Sequence, residues 1–447
     1  MALKITVIGT GYLGATHAAA MAELGFEVLG LDVVPEKIEM LSAGKVPMYE
    51  PGLEELLARH VAGIEGSSGR LRFTTSWEEI GEFGDVHFVC VNTPQKHGEY
   101  ACDMSYVDRA FASLAPQLKR PALVVGKSTV PVGSAARLAG LLAELAPVGA
   151  DAELAWNPEF LREGFAVQDT LRPDRIVVGV ESERAEKLLR EVYETPVGEG
   201  SPFVVTDFPT AELVKTSANS FLATKISFIN AMAEVCEAAD GDVVKLAEAI
   251  GYDERIGSKF LRAGIGFGGG CLPKDIRAFM ARAGELGADQ ALTFLREVDS
   301  INMRRRGHMV ELARDAVGGG SFLGKRVAVL GATFKPDSDD VRDSPALNVA
   351  GQIHLQGGQV TVYDPKGMDN ARRLFPTLGY ADTALDTVRG ADVVLHLTEW
   401  REFRELDPAA LGEAVSSRIV LDGRNALDGS KWREAGWTYR AMGRPRA

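Results

Sequence analysis

The 447-residue sequence predicts an α/β protein in which two doubly wound parallel-sheet domains are joined by a helical domain with a long central helix. Three observations predict this fold class. The chain opens with a strand, a glycine turn and an alanine-rich helix, its middle is a long run of helix formers, and the opening pattern returns in weaker form near the C-terminus. Because one ordinary domain has roughly 100–200 residues, two or three units are expected.

The glycine turn is the first motif. Gly9, Gly11 and Gly14 form a GxGxxG pattern between the strand and the helix, and Asp32 ends the next predicted strand. Such glycines bring the backbone close to a pyrophosphate, and the helix N-terminus adds partial positive charge. An acidic residue at position 32 binds ribose hydroxyls and repels a 2′-phosphate. This context favours a Rossmann-like NAD site over a turn in which the glycines are only structural.

Further strands are predicted at residues 86–91, 122–127 and 176–180. Polar residues follow two of them, at 92–94 and 127–131, where a sheet of this kind binds its ligands beyond the carboxyl ends of the strands. Ordinary capping or turn residues are the alternative at both places.

Residues 157–164 are predicted to form a capped helical turn. Asn157 is the expected N-cap, Pro158 the first helical residue and Gly164 the stop. Glu159 and Glu163 would then share one face, either in a functional site or as two solvent-exposed carboxylates.

The middle of the chain, from about residue 210 to 239, predicts a long helix. Apolar residues recur at near-helical spacing, and the exposed length makes this helix a candidate dimer surface. Lys215 and Asn219 are four residues apart, so both could point into one pocket or into solvent. Helices are expected to continue to Val317, and glycines 318–320 indicate a hinge. The predicted domains are therefore residues 1–200, 201–317 and 318–447.

Beyond the hinge the strand pattern of the first domain returns. Residues 325–331, 360–364 and 391–396 repeat the patterns of 4–9, 28–32 and 84–89. The second sheet lacks the three-glycine turn, so it is expected to bind something other than a dinucleotide.

The most unusual segment is residues 264–275, with five glycines within seven residues before Cys271. We interpret these glycines as leaving the main chain open to a ligand. Pro273 can start a helix directly after Cys271, and a helix N-terminus with Lys274 nearby lowers a thiol pKa and favours the thiolate. A buried, inert cysteine is the alternative.

Composition excludes several classes of function. The net charge of −13 argues against nucleic-acid binding, which needs clustered Lys and Arg. No signal peptide or apolar span of ~20 residues is expected, so we predict a cytoplasmic protein without a membrane partner. The four cysteines show neither zinc-ligand nor disulfide spacing, so no metal is predicted.

Taken in order, these motifs resemble the UDP-glucose 6-dehydrogenase family, within the wider UDP-glucose/GDP-mannose dehydrogenase group. The resemblance covers nearly the whole chain. It rests on the turn at 9–14 and on residues 91–94, 128–131, 157–164, 211–215, 264–275, 334–335 and 422–424.

The resemblance implies that UDP-glucose is oxidised to UDP-glucuronate by two NAD. Cys271 would form first a thiohemiacetal and then a thioester, because a free aldehyde lacks the hydroxyl from which a second hydride can leave. Lys215 would stabilise the developing oxyanion and Asn219 would donate a hydrogen bond to it. Asp275 would accept the proton, directly or through a water held by Thr129, and Glu159 would assist thioester hydrolysis.

The resemblance also implies binding positions. For NAD these are Gly9, Gly11, Tyr12, Leu13, Gly14, Asp32, Lys37, Thr93, Pro94, Ser128, Thr129, Glu163, Lys274 and Arg342. For the UDP-sugar they are Glu159, Phe160, Leu161, Glu163, Lys215, Asn219, Arg255, Arg262, Phe267, Gly268, Phe334, Lys335 and Arg424. Arg255 would reach a neighbouring subunit's site, which implies a homodimer and leaves room for larger assemblies.

Two departures bear on the substrate. The family commonly has serine before the cysteine and an aromatic residue after it, whereas this chain has Gly270 and Leu272. Leucine also occurs in GDP-mannose relatives, so GDP-mannose or another UDP-sugar is the alternative substrate. A two-electron hydroxyacid dehydrogenase, which needs no thiol, and a sensor that binds NAD without turnover are the alternative functions.

Overall fold

The computed structural model describes residues 3–62 and 69–445. The chain divides into two compact units. The first contains the residues up to Ala218 together with Arg277–Leu286, and the second contains Asn219–Ile276 and the residues from Gly287 onward. The three-domain division at residues 200 and 317 stays a prediction.

The first unit is built on an eight-stranded sheet. Its strands are β1 (Lys4–Ile8), β2 (Glu27–Leu31), β3 (Leu71–Thr74), β4 (Val86–Val89), β5 (Ala122–Gly126), β6 (Ala152–Trp156), β7 (Ile176–Val180) and β8 (Phe203–Thr206). Its helices are α1 (Tyr12–Glu23), α2 (Pro35–Ser42), α3 (Leu53–Ala62), α4 (Trp77–Phe83), α5 (Ser105–Leu114), α6 (Ser134–Leu145), α7 (Ala166–Leu171), α8 (Glu183–Val192) and α9 (Glu194–Gly198). Short 3-10 helices lie at Ala115–Gln117 and Gly149–Asp151.

The strand order is β3-β2-β1-β4-β5-β6-β7-β8. All neighbours are parallel except β6 and β7, which pair antiparallel. Each face of the sheet buries its own apolar cluster, because parallel strands are covered by helices on both sides. The order reverses at β1, so the β1–α1 turn lies where such sheets bind ligands.

Helix α10 (Phe208–Ala239) is the long helix that the sequence predicts, and the division between the two units falls within it. It is followed by α11 (Val243–Gly251), α12 (Leu272–Glu285), a 3-10 turn (Asp289–Leu292) and α13 (Thr293–Ala316). Asp242 caps α11 by accepting the amides of Val244 and Lys245.

The second unit is built on a six-stranded sheet that is parallel throughout. Its strands are β9 (Arg326–Leu330), β10 (Gln359–Tyr363), β11 (Gly379–Tyr380), β12 (Val393–His396), β13 (Ile419–Asp422) and β14 (Thr438–Ala441), in the order β11-β10-β9-β12-β13-β14. Its helices are α14 (Pro345–Leu355), α15 (Met368–Leu374), α16 (Ala384–Val388), α17 (Arg401–Arg404), α18 (Pro408–Gly412) and α19 (Gly429–Glu434). The predicted fold class is confirmed.

Over the residues that the structure describes, no helix is both long enough and apolar enough to cross a membrane. The cytoplasmic location stays a prediction from the sequence.

Candidate active site

The β1–α1 turn shows why two of its glycines are needed by the protein itself. Gly9 has φ +87°, and a Cβ on Gly14 would lie 1.9 Å from the Gly9 carbonyl oxygen. At Gly11, by contrast, the nearest atom to an added Cβ is Asn92 Oδ1 at 3.8 Å. Packing therefore does not require glycine at position 11, whereas the close approach of a pyrophosphate does. The turn fits the predicted dinucleotide.

Asp32 lies at the carboxyl end of β2 and is 7% exposed. Its Oδ2 accepts hydrogen bonds from the Thr10 amide at 3.0 Å and from Lys37 Nζ at 2.7 Å. Its Oδ1 accepts the Val34 amide at 3.2 Å. The carboxylate is thus held in place at the edge of the turn, where ribose hydroxyls would meet it.

Glu50 is a residue of this region that sequence analysis missed. It is buried, accepts a hydrogen bond from the Tyr12 hydroxyl, and also accepts the amides of Gly164 at 2.6 Å and Ala166 at 2.7 Å. Burial and Glu50 raise the pKa of Tyr12. Because these contacts join positions far apart in sequence, no local pattern could have indicated them.

The predicted helical turn at residues 157–164 is wrong. This segment has no helix, and α7 begins only at Ala166. Asn157 does not cap a helix, because its amide group donates to the Val177 carbonyl at 2.8 Å and its oxygen accepts from Lys127 Nζ at 2.9 Å. Glu159 and Glu163 therefore do not share a helical face.

Glu159 and Lys215 are brought together in the first unit. Lys215 Nζ lies 3.0 Å from Glu159 Oε1, and the two side chains are 5% and 14% exposed. The Lys215 ammonium lies 5.6 Å from the centre of the Phe160 ring, and the Arg175 guanidinium stacks on that ring at 3.8 Å. The alternative in which Lys215 points into solvent is excluded by its burial.

A cavity of the first unit is lined by part of this loop and by the start of α1. Its lining includes Leu13, His17, Lys127, Glu159 and Leu161. His17 is buried with both ring nitrogens lacking a hydrogen-bond partner, and burial lowers its pKa.

The chain segments that follow β4 and β5 contact each other through Ser128. The Ser128 hydroxyl donates to the Val91 carbonyl at 2.6 Å, so it fixes the neighbouring strand end. Thr93 is buried, Thr129 is half-buried, and Pro94 is exposed. These positions lie at the ligand-binding edge of the sheet.

In the second unit Cys271 lies immediately before α12 and is exposed, whereas Cys90, Cys102 and Cys236 are buried. Its carbonyl oxygen accepts the Asp275 amide at 2.9 Å, which places Cys271 at the N-cap of the helix. The alternative of a buried cysteine is excluded. The helix N-terminus supplies partial positive charge beside the thiol.

Asp275 is the centre of a polar cluster close to this helix start. Its Oδ2 accepts a hydrogen bond from Asn219 Nδ2 at 2.6 Å, and its Oδ1 pairs with Lys274 Nζ at 2.6 Å. Asp275 is 1% exposed and Asn219 is 7% exposed. Three residues expected in the site are therefore in direct contact.

At least three members of the glycine run are glycines because the protein's own atoms pack against them, while the approach of a ligand to this run stays a prediction. A Cβ on Gly264 would lie 2.5 Å from the Gly423 carbonyl oxygen, and one on Gly266 would lie 2.2 Å from Asn302 Oδ1. A Cβ on Gly268 would lie 2.3 Å from the carbonyl oxygen of Asp343. The protein's own atoms occupy the space that side chains would need.

Helix α13 holds the main chain of this run, and sequence analysis missed that role. Asn302 Oδ1 accepts the Phe267 amide at 2.7 Å, and its Nδ2 donates to the Phe267 carbonyl at 3.0 Å. Arg306, one turn later, donates to the same carbonyl at 3.0 Å and pairs with Asp343 at 2.7 Å. Both side chains are at most 1% exposed.

Arg424 lies beside the same run. Its guanidinium donates to the carbonyls of Leu397 at 2.8 Å, Gly266 at 2.8 Å and Phe334 at 3.1 Å. Lys335, also expected on the UDP side, lies 5.6 Å from the centre of the Phe334 ring. The structure thus brings Phe334, Lys335 and Arg424 into one region of the second unit.

Three expected arginines lie at the surface of the second unit. Arg255 is 89% exposed and pairs with Asp253 at 2.6 Å. Arg342 is 61% exposed and pairs with Asp340 at 2.7 Å. Arg262 is also exposed.

In the second sheet a carboxylate binds the turn that follows β9. Asp364 follows β10 and is 1% exposed. Its Oδ2 accepts the amides of Ala332 at 2.8 Å and Thr333 at 3.0 Å, and the Trp400 indole donates to it at 3.0 Å. This carboxylate is covered by protein.

Within residues 3–62 and 69–445, no group of three or more His, Cys, Asp or Glu side chains is arranged to hold a metal ion.

In comparison with known proteins, the chain matches three consecutive domain models of one family. Residues 3–197 match the NAD binding domain of the UDP-glucose/GDP-mannose dehydrogenase family, residues 209–304 its central domain and residues 328–429 its UDP binding domain. UDP-glucose 6-dehydrogenase of Rhizobium meliloti is 41% identical over 99% of this chain and 100% of its own length.

Two solved structures are also similar over nearly the full length. A UDP-glucose dehydrogenase from Pyrobaculum islandicum has a TM-score of 0.88 and 37% identity, covering 98% of each chain. A UDP-D-ManNAc dehydrogenase from Pyrococcus horikoshii has a TM-score of 0.86 and 28% identity, covering 100% of each chain. The predicted resemblance and the NAD cofactor are confirmed. The chain is an NAD-dependent dehydrogenase that belongs to the UDP-glucose/GDP-mannose dehydrogenase family.

Proposed function

We propose that this chain oxidises UDP-glucose to UDP-glucuronate in two NAD-dependent steps, with Cys271 as the covalent nucleophile. The observation that carries the proposal is the position of Cys271: it is the exposed cysteine of the four, and it lies at the N-cap of α12 beside the Asn219–Asp275–Lys274 cluster. The names of the relatives that match over nearly the whole chain support UDP-glucose as the sugar nucleotide.

The chemistry needs a thiol because two hydrides leave the same carbon. NAD, when bound, accepts each hydride. The first oxidation converts the C6 alcohol to an aldehyde, and the Cys271 thiolate adds to its carbonyl carbon to give a thiohemiacetal. Loss of the second hydride and the hydroxyl proton leaves a thioester. Water then cleaves the carbon–sulfur bond, giving the carboxylate and returning the thiol.

The surrounding residues would handle charge and protons. Asp275 would accept the proton released at the alcohol, while Asn219 and Lys274 hold its two oxygens in place. Lys215 would stabilise negative charge on the substrate oxygen, and its ion pair with Glu159 supports a shared role for these two side chains.

The deciding experiment counts NADH. Limiting UDP-glucose with excess NAD is expected to give two NADH per sugar, followed by absorbance at 340 nm. A yield of one NADH per sugar would indicate a simple two-electron dehydrogenase. The absence of NADH would indicate a protein that binds its ligands without turnover.

Cys271→Ser tests the covalent step. We expect a sugar ester on the protein that hydrolyses slowly, because an alkoxide leaves less readily than a thiolate. Mass spectrometry of the intact chain measures the adduct, and Cys102→Ser, at a buried cysteine, is the matched control. Normal turnover by Cys271→Ser would contradict the scheme.

A second UDP-sugar is the main competing substrate. The TM-scores of 0.88 and 0.86 differ little between the UDP-glucose and UDP-D-ManNAc enzymes, although the identities differ by more. We therefore expect kcat/KM to be highest for UDP-glucose in a comparison with UDP-N-acetylmannosamine and GDP-mannose. Higher kcat/KM with either competitor would contradict UDP-glucose as the preferred substrate.

We further propose a homodimer formed through α10. Phe221, Phe228 and Val235 are spaced seven residues apart on this helix and are 66%, 48% and 58% exposed. Such an apolar stripe is typical of a helix that packs against a partner. Light scattering of Phe221→Asp and Phe228→Asp is expected to give monomers, and unchanged mass would contradict the proposal.

A further inference from the structure

A buried lysine lies at the end of β5, in the first unit. Lys127 is 6% exposed, and its ammonium lies 5.7 Å from the centre of the Phe88 ring and 6.0 Å from that of Tyr193. Lysine is rarely buried to this extent, because taking its charge out of water is costly.

The ammonium is held by hydrogen bonds to one loop and one tyrosine. It donates to Asn157 Oδ1 at 2.9 Å and Asn157 O at 3.5 Å, and it lies 3.4 Å from the Tyr193 hydroxyl. Tyr193 in turn donates to Asn157 Oδ1 at 2.5 Å, and Asn157 donates to the Val177 carbonyl at 2.8 Å. Asn157 is thereby fixed by residues from three separate segments.

Asn157 begins the irregular segment that carries Glu159. Since residues 157–165 contain no helix or strand, their conformation depends on such anchors rather than on backbone ladders. Two residues after Asn157, Glu159 forms its ion pair with Lys215 at 3.0 Å. The anchor and the ion pair are therefore adjacent along one short stretch of chain.

Three of the groups that face Lys127 are neutral, which makes a buried ammonium group among them unusual. Burial lowers the pKa of Lys127 to about 8, and burial keeps its neighbours His17 and Tyr193 neutral by lowering the pKa of the first and raising that of the second. Burial likewise raises the pKa of the Cys90 thiol to about 12.

The other two facing groups, Glu159 and Lys215, are the ion pair. A methionine of similar length would fill the same space without the cost of a buried charge. Stability therefore gives no reason for a lysine here.

We infer that Lys127 is a positioning residue, whose ammonium fixes Asn157 and thereby holds the segment that presents Glu159 to Lys215. The inference rests on the proposed function, because it assumes that Glu159 and Lys215 act on the bound sugar nucleotide.

The test compares Lys127→Met with the wild type. We expect kcat with UDP-glucose to fall by roughly tenfold or more, since small misplacements of catalytic groups have effects of this size. The midpoint of thermal unfolding is expected to stay the same or rise. A merely structural residue would lower both. Lys119→Met, at an exposed lysine 3.9 Å from Glu82, is the matched control and should change neither.

A second measurement does not depend on turnover. Arg162 is exposed within the anchored segment, so trypsin cleavage after it reports how firmly that segment is held. Cleavage should be faster in Lys127→Met than in Lys119→Met. The ratio of the wild-type cleavage rate to the Lys127→Met cleavage rate should rise between pH 7 and pH 9, because Lys127 loses its proton near pH 8.

Two results would overturn the inference: wild-type turnover with an unchanged cleavage rate in Lys127→Met, or a fall in the unfolding midpoint that accounts for the lost activity. If the wild type makes no NADH from UDP-glucose, the proposed function fails instead, and the trypsin experiment still decides whether Lys127 holds the segment.

Discussion

The two sheets share one strand order around their central strands, β1 and β9, but they differ in the turn that follows. In the first sheet Asp32 is 7% exposed and its partners include Lys37, which is 26% exposed. In the second sheet Asp364 is 1% exposed and accepts hydrogen bonds from the turn and from the Trp400 indole. One carboxylate lies at the edge of a ligand turn, and the other is enclosed by protein.

An equivalent place in two sheets therefore does not imply an equivalent role. An aspartate after the second strand can bind a ribose or it can seal a turn, and its neighbours decide which. This agrees with the expectation that the second sheet binds something other than a dinucleotide. Four variants and one control test how the two sheets differ.

The largest effect is expected at Gly14. In Gly14→Ala the new Cβ would lie 1.9 Å from the Gly9 carbonyl oxygen, so α1 must move away from β1. We expect a loss of about 4 kcal/mol in the free energy of unfolding and no measurable NAD binding. Urea unfolding and calorimetric titration with NAD measure the two effects.

Gly140→Ala is the control for this substitution. Gly140 lies within α6 and an added Cβ would meet nothing within 4 Å, so alanine should stabilise the helix by up to about 1 kcal/mol. Normal NAD affinity in Gly14→Ala would show that the turn tolerates a side chain and would undo the comparison.

Asp364→Asn should destabilise the second sheet without affecting NAD. Because Oδ1 and Oδ2 both accept backbone amides, an asparagine must direct its NH2 group at one set of donors. We expect a loss of roughly 2–4 kcal/mol in unfolding free energy, measured by urea denaturation. A drop in NAD affinity with unchanged stability would contradict our view of this carboxylate.

Asp32→Asn should have the opposite result. It weakens the hydrogen bonds available to the ribose, so we expect NAD affinity to fall roughly 10- to 100-fold. Stability should change less than in Asp364→Asn, because each carboxylate oxygen of Asp32 accepts one backbone amide, whereas each oxygen of Asp364 accepts two. Equal destabilisation by the two variants would show that both aspartates are structural.

The smallest effect concerns the histidines of β4 and β12. His87 is buried, with Nδ1 2.8 Å from the Thr6 hydroxyl, and burial lowers its pKa to about 3. His396 is also buried, but its Nδ1 lies 2.9 Å from Asp422. A histidine whose folded pKa is depressed gives stability that is present above its unfolded pKa and is lost as the pH falls towards the folded value.

From pH 7 to 5.5 the contribution of His87 should therefore fall by about 1 kcal/mol, taking an unfolded pKa of roughly 6.5. Urea unfolding of wild type and His87→Gln at both pH values measures it, and the variant should lose correspondingly less stability than the wild type. The same pH slope in both proteins would remove His87 as the cause.

Much of the fold could be predicted because its signals are local. Alternating apolar residues and turn glycines indicated β1, α1 and β2, and continuous helix formers indicated α10 almost to its ends. Cys271 could be placed at a helix start because Pro273, two residues later, suits the first turn of a helix.

The failures concern tertiary contacts. At residues 157–164 Asn, Pro and Gly occupy cap positions, yet Asn157 bonds to Val177 and Lys127, which lie 20 and 30 residues away in sequence. Trp400 reaches Asp364 across 36 residues. A glycine in a sequence also does not tell whether a ligand or the protein fills the space beside it, as Gly266 and Asn302 demonstrate.

Gly270 and the Arg342 guanidinium share one small space in the second unit. A Cβ at this position would lie 2.3 Å from the Arg342 guanidinium carbon, so a side chain from elsewhere in the sequence fills the place where the family resemblance implies serine. Arg342 is exposed and its guanidinium is the far end of a long side chain, so a side chain at position 270 requires only that the guanidinium move aside. The residue at position 270 and the conformation of Arg342 are therefore coupled, because a larger residue at 270 and the present guanidinium position exclude each other.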